Sequence, residues 1–166
     1  MTCDTDAVDP KRDPSARLPA GQAPSATATA IDIEVTDTPG AEDAARVVSG
    51  LVGFNASTVG PSNRQTLAAL LRSGEGVVGG VIGYTAWGWL YIEKVWVDET
   101  LRGQGFAARL LAAAEAEARR RLCRGIFLDT FNPAARRLYE REGFEVCGEI
   151  ADFTAGQPRT FLQKRL

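Results

Sequence analysis

Glu93-Lys94-Val95-Trp96-Val97-Asp98-Glu99-Thr100-Leu101-Arg102-Gly103-Gln104-Gly105-Phe106-Ala107 is the stretch on which the fold turns. Its first five residues close a run from Trp87 that is rich in aromatic and β-branched side chains. Such residues pack well on a pleated surface, and the run predicts the strongest strand of the chain. After Val97 come four residues, and Arg102 to Ala107 then leads into a helical pattern from about Gly105 to Arg121. A glycine-rich turn between strand and helix is an anion cradle. The glycines let successive N–H groups point into one concavity, and the helix N-terminus adds about half a positive charge. Pyrophosphate is its natural occupant. No Gly-Lys-Ser/Thr follows, so this is not a Walker A loop, and the third glycine is misplaced for the dinucleotide fingerprint. The plain alternative is a turn that caps an ordinary surface helix.

The elements on either side predict an α/β arrangement around a mixed sheet. Upstream, Ile31-Asp32-Ile33-Glu34-Val35 alternates strictly and predicts a half-buried strand. Thr38 and Pro39 read as the N-cap and first position of a helix whose apolar residues are Ala45, Val48, Leu51, Val52 and Phe54. Asn55 to Asn63 reads as a loop. Leu67 to Leu71 and Gly76 to Thr85 flank the turn Ser73-Gly74-Glu75-Gly76 as a hairpin. Downstream come a strand at Gly125 to Thr130 and a helix from Pro133 to about Glu142, closed by Gly143. Two last strands fit Phe144 to Glu149 and Arg159 to Lys164. Residues 1–29, with four prolines and few apolar side chains, predict a disordered tail, which leaves one domain over 31–166.

Composition narrows the chemistry. The chain has 166 residues and no histidine. Ser-His-Asp and Cys-His catalysis and an H-E-x-x-H metal site are therefore excluded, and no metal is expected. Cys3, Cys123 and Cys147 are an odd number without C-x-x-C spacing, as expected of free thiols in a cytoplasmic protein. Nineteen Lys+Arg against 21 Asp+Glu give no global basis for binding nucleic acid or an anionic membrane. No apolar run approaches the roughly 18 residues of a membrane span.

Three segments together resemble the GNAT superfamily of acetyl-CoA-dependent N-acetyltransferases. Val95-Trp96-Val97 with Leu101 to Ala107 resembles its strand, pyrophosphate loop and helix, the Q/R-x-x-G-x-G/A signature. Asn132-Pro133-Ala134-Ala135-Arg136-Arg137-Leu138-Tyr139-Glu140-Arg141-Glu142-Gly143-Phe144 resembles its N-x-x-A-x-x-L-Y-x-x-x-G-F segment. The element order from Ile31 onward is the third match. The resemblance implies a mixed, mostly antiparallel sheet flanked by helices and splayed between its fourth and fifth strands. It also implies acetyl-CoA as co-substrate.

Carried over residue by residue, the resemblance gives the Val95 amide the task of polarising the acetyl carbonyl. Trp96 and Val97 would pair with the pantetheine amides. The N–H groups of Arg102, Gly103, Gln104, Gly105, Phe106 and Ala107 would hold the pyrophosphate, with Asn132 touching the cofactor and Ala135 packing beneath it. Tyr139 would protonate the departing thiolate, since a phenol near pKa 10 can serve a thiol of about 8.5. Its alternative is plain packing. Glu93, which strand alternation puts on the face of Val95 and Val97, is the candidate base or acceptor anchor, with Asp152 and Glu34 behind it. Trp87, Trp89, Tyr91 and Trp96 could line an acceptor pocket or simply pack. Arg136, Arg137 and Arg141 could meet the 3′-phosphate or form a solvated face.

A closer likeness is to a compact bacterial subgroup that acts on small amines, in which antibiotic-modifying members occur. It rests on W-G-W-L-Y-I-E-x-x-W-V-D-E, L-D-T-F and the final R-x-F-L-x-K-x-L. The chain departs from it at Asn132-Pro133 and at Gly156-Gln157-Pro158-Arg159, where relatives tend to have Gly-His-x-Arg. The expected activity is acetyl transfer to a primary amine of a small molecule, an aminoglycoside-like antibiotic being one candidate. A lysine or N-terminal protein acetyltransferase and a non-catalytic acyl-CoA sensor stay open, as does a homodimer.

Overall fold

The computed structural model describes residues 31–74 and 76–166. The expected tail and Cys3 lie outside the described residues. Backbone contacts divide the chain between Pro39 and Gly40. In the first unit, residues 31–36 have no regular secondary structure, so the strand expected at Ile31 to Val35 is not formed. Alternation marks which residues would share a face, but a strand also needs a partner edge. Thr38 is not a helix cap: its N–H donates to Thr36 Oγ1 at 3.1 Å, a local turn that competes with helix initiation.

The second unit opens with α1, Ala41–Val59, which starts behind Gly40 with no side-chain cap and extends through much of the expected Asn55 to Asn63 loop. None of its residues is buried, and its apolar face from Val47 to Val59 is open to solvent. The strands are β1 (Gln65–Ser73), β2 (Gly76–Ala86), β3 (Trp89–Val97), β4 (Gly125–Thr130), β5 (Glu145–Thr154) and β6 (Gln157–Arg165). Helix α2 (Phe106–Arg120) joins β3 to β4, and α3 (Pro133–Arg141) joins β4 to β5. The six strands form one sheet in the order β1-β2-β3-β4-β6-β5, with β3 and β4 parallel and every other pair antiparallel.

Strand β3 begins two residues later than expected. Trp87 and Gly88 both have positive φ, 47° and 73°, and make the two-residue turn between β2 and β3. That geometry matches the right-handed twist of a hairpin. The Trp87 N–H donates to the Ser62 carbonyl at 2.9 Å and its indole Nε1 to the Gly60 carbonyl at 3.1 Å, which holds the bulky residue in this rare conformation.

Both α2 and α3 pack against the sheet. Leu90 and Ile92 of β3, Ile126 and Leu128 of β4 and Leu162 of β6 meet Leu110, Leu111, Ala114 and Ala118 of α2 and Tyr139 of α3. Leu90, Ile126, Leu128 and Leu162 are fully buried, and each such side chain stabilises the fold by about 1.5–3 kcal/mol. The opposite face carries Tyr84, Tyr91, Phe127, Asp129, Arg159 and Phe161, assigned there by strand alternation and register.

Two irregularities shape the centre. The β2–β3 register slips between Gly83↔Ile92 and Ile82↔Lys94, so Glu93 is the extra residue of a bulge. The bulge resets the alternation: Leu90 and Ile92 face the helices before it, Val95 and Val97 after it. Glu93 therefore does not share the face of Val95 and Val97, as simple alternation predicts, but stands on the side of Tyr91. The parallel ladder between β3 and β4 covers Trp89↔Gly125 to Ile92↔Leu128, and the residues beyond it on both strands have no partner in this pairing.

Candidate functional site

Where that ladder stops, a cleft of about 540 Å³ opens on the helix side. Val95, Trp96 and Val97 of β3 form one wall, Arg102, Gly103 and Gly105 to Ala108 a second, and Ala134, Ala135, Leu138 and Tyr139 of α3 the third. Main-chain directions follow from one hydrogen bond. The Asp98 N–H donates to the Val78 carbonyl at 2.9 Å, so the groups of Trp96 also face β2 and those of Val95 and Val97 face away from it, toward β4. The Val97 carbonyl accepts from Arg102 Nε at 3.2 Å, which ties the loop to the strand end. The Val95 amide lies beyond the last paired position of the β3–β4 ladder. Trp96 also borders the cleft, but its main-chain groups, expected to pair with the pantetheine amides, face β2 instead. With Val95 and Val97 turned to the helices, its half-exposed side chain stands on the opposite face.

The loop has the conformation its glycines predict. Gly103 and Gly105 take φ of 75° and 79°, in the left-handed region that side chains rarely adopt, and no atom lies within 4 Å of where a Cβ would stand at either. They serve backbone direction, not close packing. Gly105 is the N-cap of α2 and offers no side-chain hydrogen bond, so the first N–H groups of the helix have no capping acceptor. Asp98 anchors the preceding 3₁₀ turn, its Oδ1 accepting from the Thr100 N–H at 3.0 Å and from Thr100 Oγ1 at 2.6 Å. An open glycine turn and an uncapped helix N-terminus, with Arg102 and Arg141 on the rim, suit a phosphate-bearing ligand.

Gln104 is the one residue of the predicted loop that does not line the cleft; its Nε2 donates to the Thr100 carbonyl at 3.0 Å. Asn132 caps α3, its Oδ1 accepting from the N–H groups of Ala134 and Ala135 at 2.9 and 3.4 Å, and lines a separate 170 Å³ depression with Gln157. Arg136 bonds Glu140 and Glu149 at 2.9 and 2.6 Å, and among the three helix arginines only Arg141 lines the cleft. Tyr139 is 6% exposed and packs on Phe144. Burial holds its hydroxyl pKa above the usual value, with the Asp129 charge adding to the shift.

On the other face Tyr91 stacks on Phe127 with centroids 4.7 Å apart and meets Tyr84 edge-on at 5.6 Å. Its hydroxyl donates to Asp129 Oδ1 at 3.2 Å, and Arg159 Nε donates to Asp129 Oδ2 at 2.7 Å. Of the expected pocket aromatics, Trp89 packs on Phe127 and beneath the Arg165 guanidinium, and Trp87 lies in the β2–β3 turn. Asp129 and Arg159 carry no local sequence signal that marks them as site residues. Alternation along β4 sets Asp129 on the face of Phe127, whereas its meeting with Arg159 depends on the β4–β6 register. Among the described residues no cluster of three or more metal-ligating side chains occurs, and no helix is long and apolar enough to cross a membrane.

A strand, glycine turn and helix thus open a cleft beside the end of a parallel ladder in a mixed α/β fold. The acetyltransferase (GNAT) family profile matches residues 33–144, and the chain belongs to that family. It is 42% identical over 132 residues to the acetyltransferase Atu2258 of Agrobacterium fabrum strain C58, covering 79% of this chain and 96% of that one. It is 36% identical over 91 residues to the blasticidin-S acetyltransferase of Streptomyces morookaense, covering 54% and 67%. Among solved structures, a candidate acetyltransferase from Agrobacterium tumefaciens superposes with a TM-score of 0.78 at 41% identity, over 82% of this chain and all of that one. An acetyltransferase from Bacillus cereus superposes with 0.72 at 26%, over 80% and 98%. The chain is an acetyltransferase.

Proposed function

We propose that this acetyltransferase moves an acetyl group from acetyl-CoA to a primary amine of a small molecule, with antibiotics such as blasticidin S as the leading acceptor class. The observation that carries the reading is the three-walled cleft, whose glycine turn and uncapped helix end adjoin a strand with outward-directed main-chain groups. The acceptor class is supported by the likeness to the blasticidin-S acetyltransferase.

In this reading the N–H groups of Arg102 to Ala107 hold the pyrophosphate, and Val97 pairs with the pantetheine arm. Ala135 packs beneath the arm. The cap formed by Asn132 sets the start of α3. When bound, acetyl-CoA supplies an activated thioester. The Val95 amide stabilises negative charge on the carbonyl oxygen, and such donors act strongly because they need no reorganisation. The amine nitrogen bonds to the acetyl carbon as the carbon–sulfur bond breaks. Tyr139 gives its hydroxyl proton to the sulfur, and the proton shed by the amine passes to Glu93 or to water.

Thiol release from acetyl-CoA, measured on a panel of small primary amines beside lysine-containing peptides, tests this reading. Faster turnover of the small amines is the expected result. Faster turnover of the peptides identifies a protein acetyltransferase, and binding without turnover identifies a sensor.

A further inference from the structure

Asp129 is the first residue of β4 beyond the last paired position of the β3–β4 ladder. By alternation its carboxylate stands on the face away from α2 and α3, beside the gap toward which the Val95 amide points. Two independent partners fix it there. Arg159, from across the β4–β6 ladder, donates to Oδ2, and the Tyr91 hydroxyl, from β3, donates to Oδ1. The Asp129 side chain is 14% exposed, so it is held in place yet reachable. Each carboxylate oxygen carries two lone pairs, and one donor apiece leaves each oxygen able to accept again. Its charge also reaches Tyr139 across the sheet, where it adds to the rise in that hydroxyl's pKa.

The surroundings define what can approach. Tyr91 and Phe127 form a stacked pair beside the carboxylate, and Tyr84, with the Arg64 guanidinium 3.8 Å over its ring, closes their edge. Glu93, turned to this face by the bulge, adds a second carboxylate. Its negative charge also contributes to the rise in the Tyr91 pKa, behind burial and the charge and hydrogen bond of Asp129. Carboxylates beside aromatic rings attract a cationic amine attached to a flat or apolar body.

We propose that Asp129, held between Arg159 and Tyr91, positions the amino group of the acceptor, and that the acceptor is a primary amine bearing a flat ring that lies along Tyr91 and Phe127. The assignment rests on the small-amine reading above. Asp129 makes and breaks no bond: it accepts one N–H of the amine and so aims the nitrogen lone pair at the gap between β3 and β4. A purely structural role, in which the Arg159–Asp129 pair only locks the β4–β6 register, predicts different behaviour.

The test is steady-state thiol release with phenethylamine, ethanolamine and blasticidin S as acceptors, on the wild type and on Asp129→Asn, Asp129→Glu and Tyr91→Phe. Calorimetric acetyl-CoA binding and thermal midpoints are recorded for each. The wild type is expected to prefer phenethylamine to ethanolamine by about tenfold in kcat/KM, the scale of a small apolar contact. Asp129→Asn is expected to raise the KM of the accepted amine roughly 10- to 100-fold, as loss of a charged hydrogen bond does. Acetyl-CoA affinity should hold, and Asp129→Glu should recover part of the loss. Equal changes in the KM values of both substrates together with a lowered midpoint, or an unchanged amine KM, overturn the positioning role. Equal use of ethanolamine overturns the ring-bearing class. A wild type that binds acetyl-CoA but turns over no amine overturns the small-amine reading itself, and this assignment with it.

Discussion

Gly83 of β2 lies so close to the Tyr91 carbonyl of β3 that a Cβ at position 83 would overlap it. The contact falls at the bulge, where the register passes from Gly83↔Ile92 to Ile82↔Lys94. It therefore governs three things at once: the return of Val95 and Val97 to the helix-packed face, the turning of Glu93 to the other face, and the direction of the Val95 amide. Gly83→Ala should destabilise the fold by about 1–3 kcal/mol, the cost of overpacking, and should lower turnover further than this loss explains. Gly148→Ala is the control, since no atom lies within 4 Å of a Cβ there. Urea unfolding and thiol release measure both, and equal behaviour of the two variants contradicts the account.

At Gly105 the constraint is conformational, with φ at 79° and open space around it. Gly105→Ala should cost about 1–2 kcal/mol for a left-handed non-glycine residue. If the loop holds the pyrophosphate, acetyl-CoA affinity should fall with it while the KM of the amine stays put. Calorimetry and steady-state kinetics separate the two substrates.

Tyr139 yields a kinetic prediction with a definite pH sign. Burial raises its pKa above the ordinary 10.0, so the hydroxyl keeps its proton throughout the neutral and mildly alkaline range. A general acid of this kind gives a kcat profile with no alkaline fall until above about pH 10. Tyr139→Phe should lower kcat by about 10²- to 10⁴-fold with little change in acetyl-CoA affinity. Unchanged kcat across pH would remove the general-acid role.

Glu117 makes a stability prediction. Hydrogen bonds from Arg120 and Arg121 hold its pKa down to about 2, against 4.5 for the free group. A carboxyl lowered on folding stabilises the protein above its unfolded pKa, and that contribution disappears as the pH falls from about 4.5 through about 2. Glu117→Gln should therefore narrow the stability gap between pH 7 and pH 2. Urea midpoints at the two pH values measure it, and an unaltered gap would mean that these pairs contribute nothing.

The cap of α3 is open to a simple test. Asn132→Ala removes the acceptor for the Ala134 and Ala135 amides and should cost about 1 kcal/mol, whereas Asn132→Asp should retain most of the stability. Thermal midpoints of the two variants give the comparison.

Most of the sheet was legible because β3, the glycine turn and α2 carry local signals. β-branched runs, glycine spacing and helical periodicity are written in neighbouring residues, and β4 was expected at the bounds it has. What was misread depends on partners. Alternation at Ile31 to Val35 cannot announce that no strand forms there. Thr38 looked like a cap because its competing turn with Thr36 is equally local. The apolar side chains of α1 match a buried helix in spacing, yet spacing alone does not supply the surface that would bury them. The site followed the same division. Its loop residues could be read in order, whereas the face of Glu93 depends on a one-residue bulge. The Asp129–Arg159 pair joins residues thirty positions apart and exists only through the β4–β6 register.

The central claim is that the cleft walled by β3, the glycine turn and α3 takes acetyl-CoA. Isothermal titration of acetyl-CoA into the full chain tests it most directly. The account predicts one site with a Kd on the order of micromolar, near −8 kcal/mol, weakened in Gly105→Ala. No heat of binding at acetyl-CoA concentrations around a hundred times that Kd, from a folded protein, would contradict it.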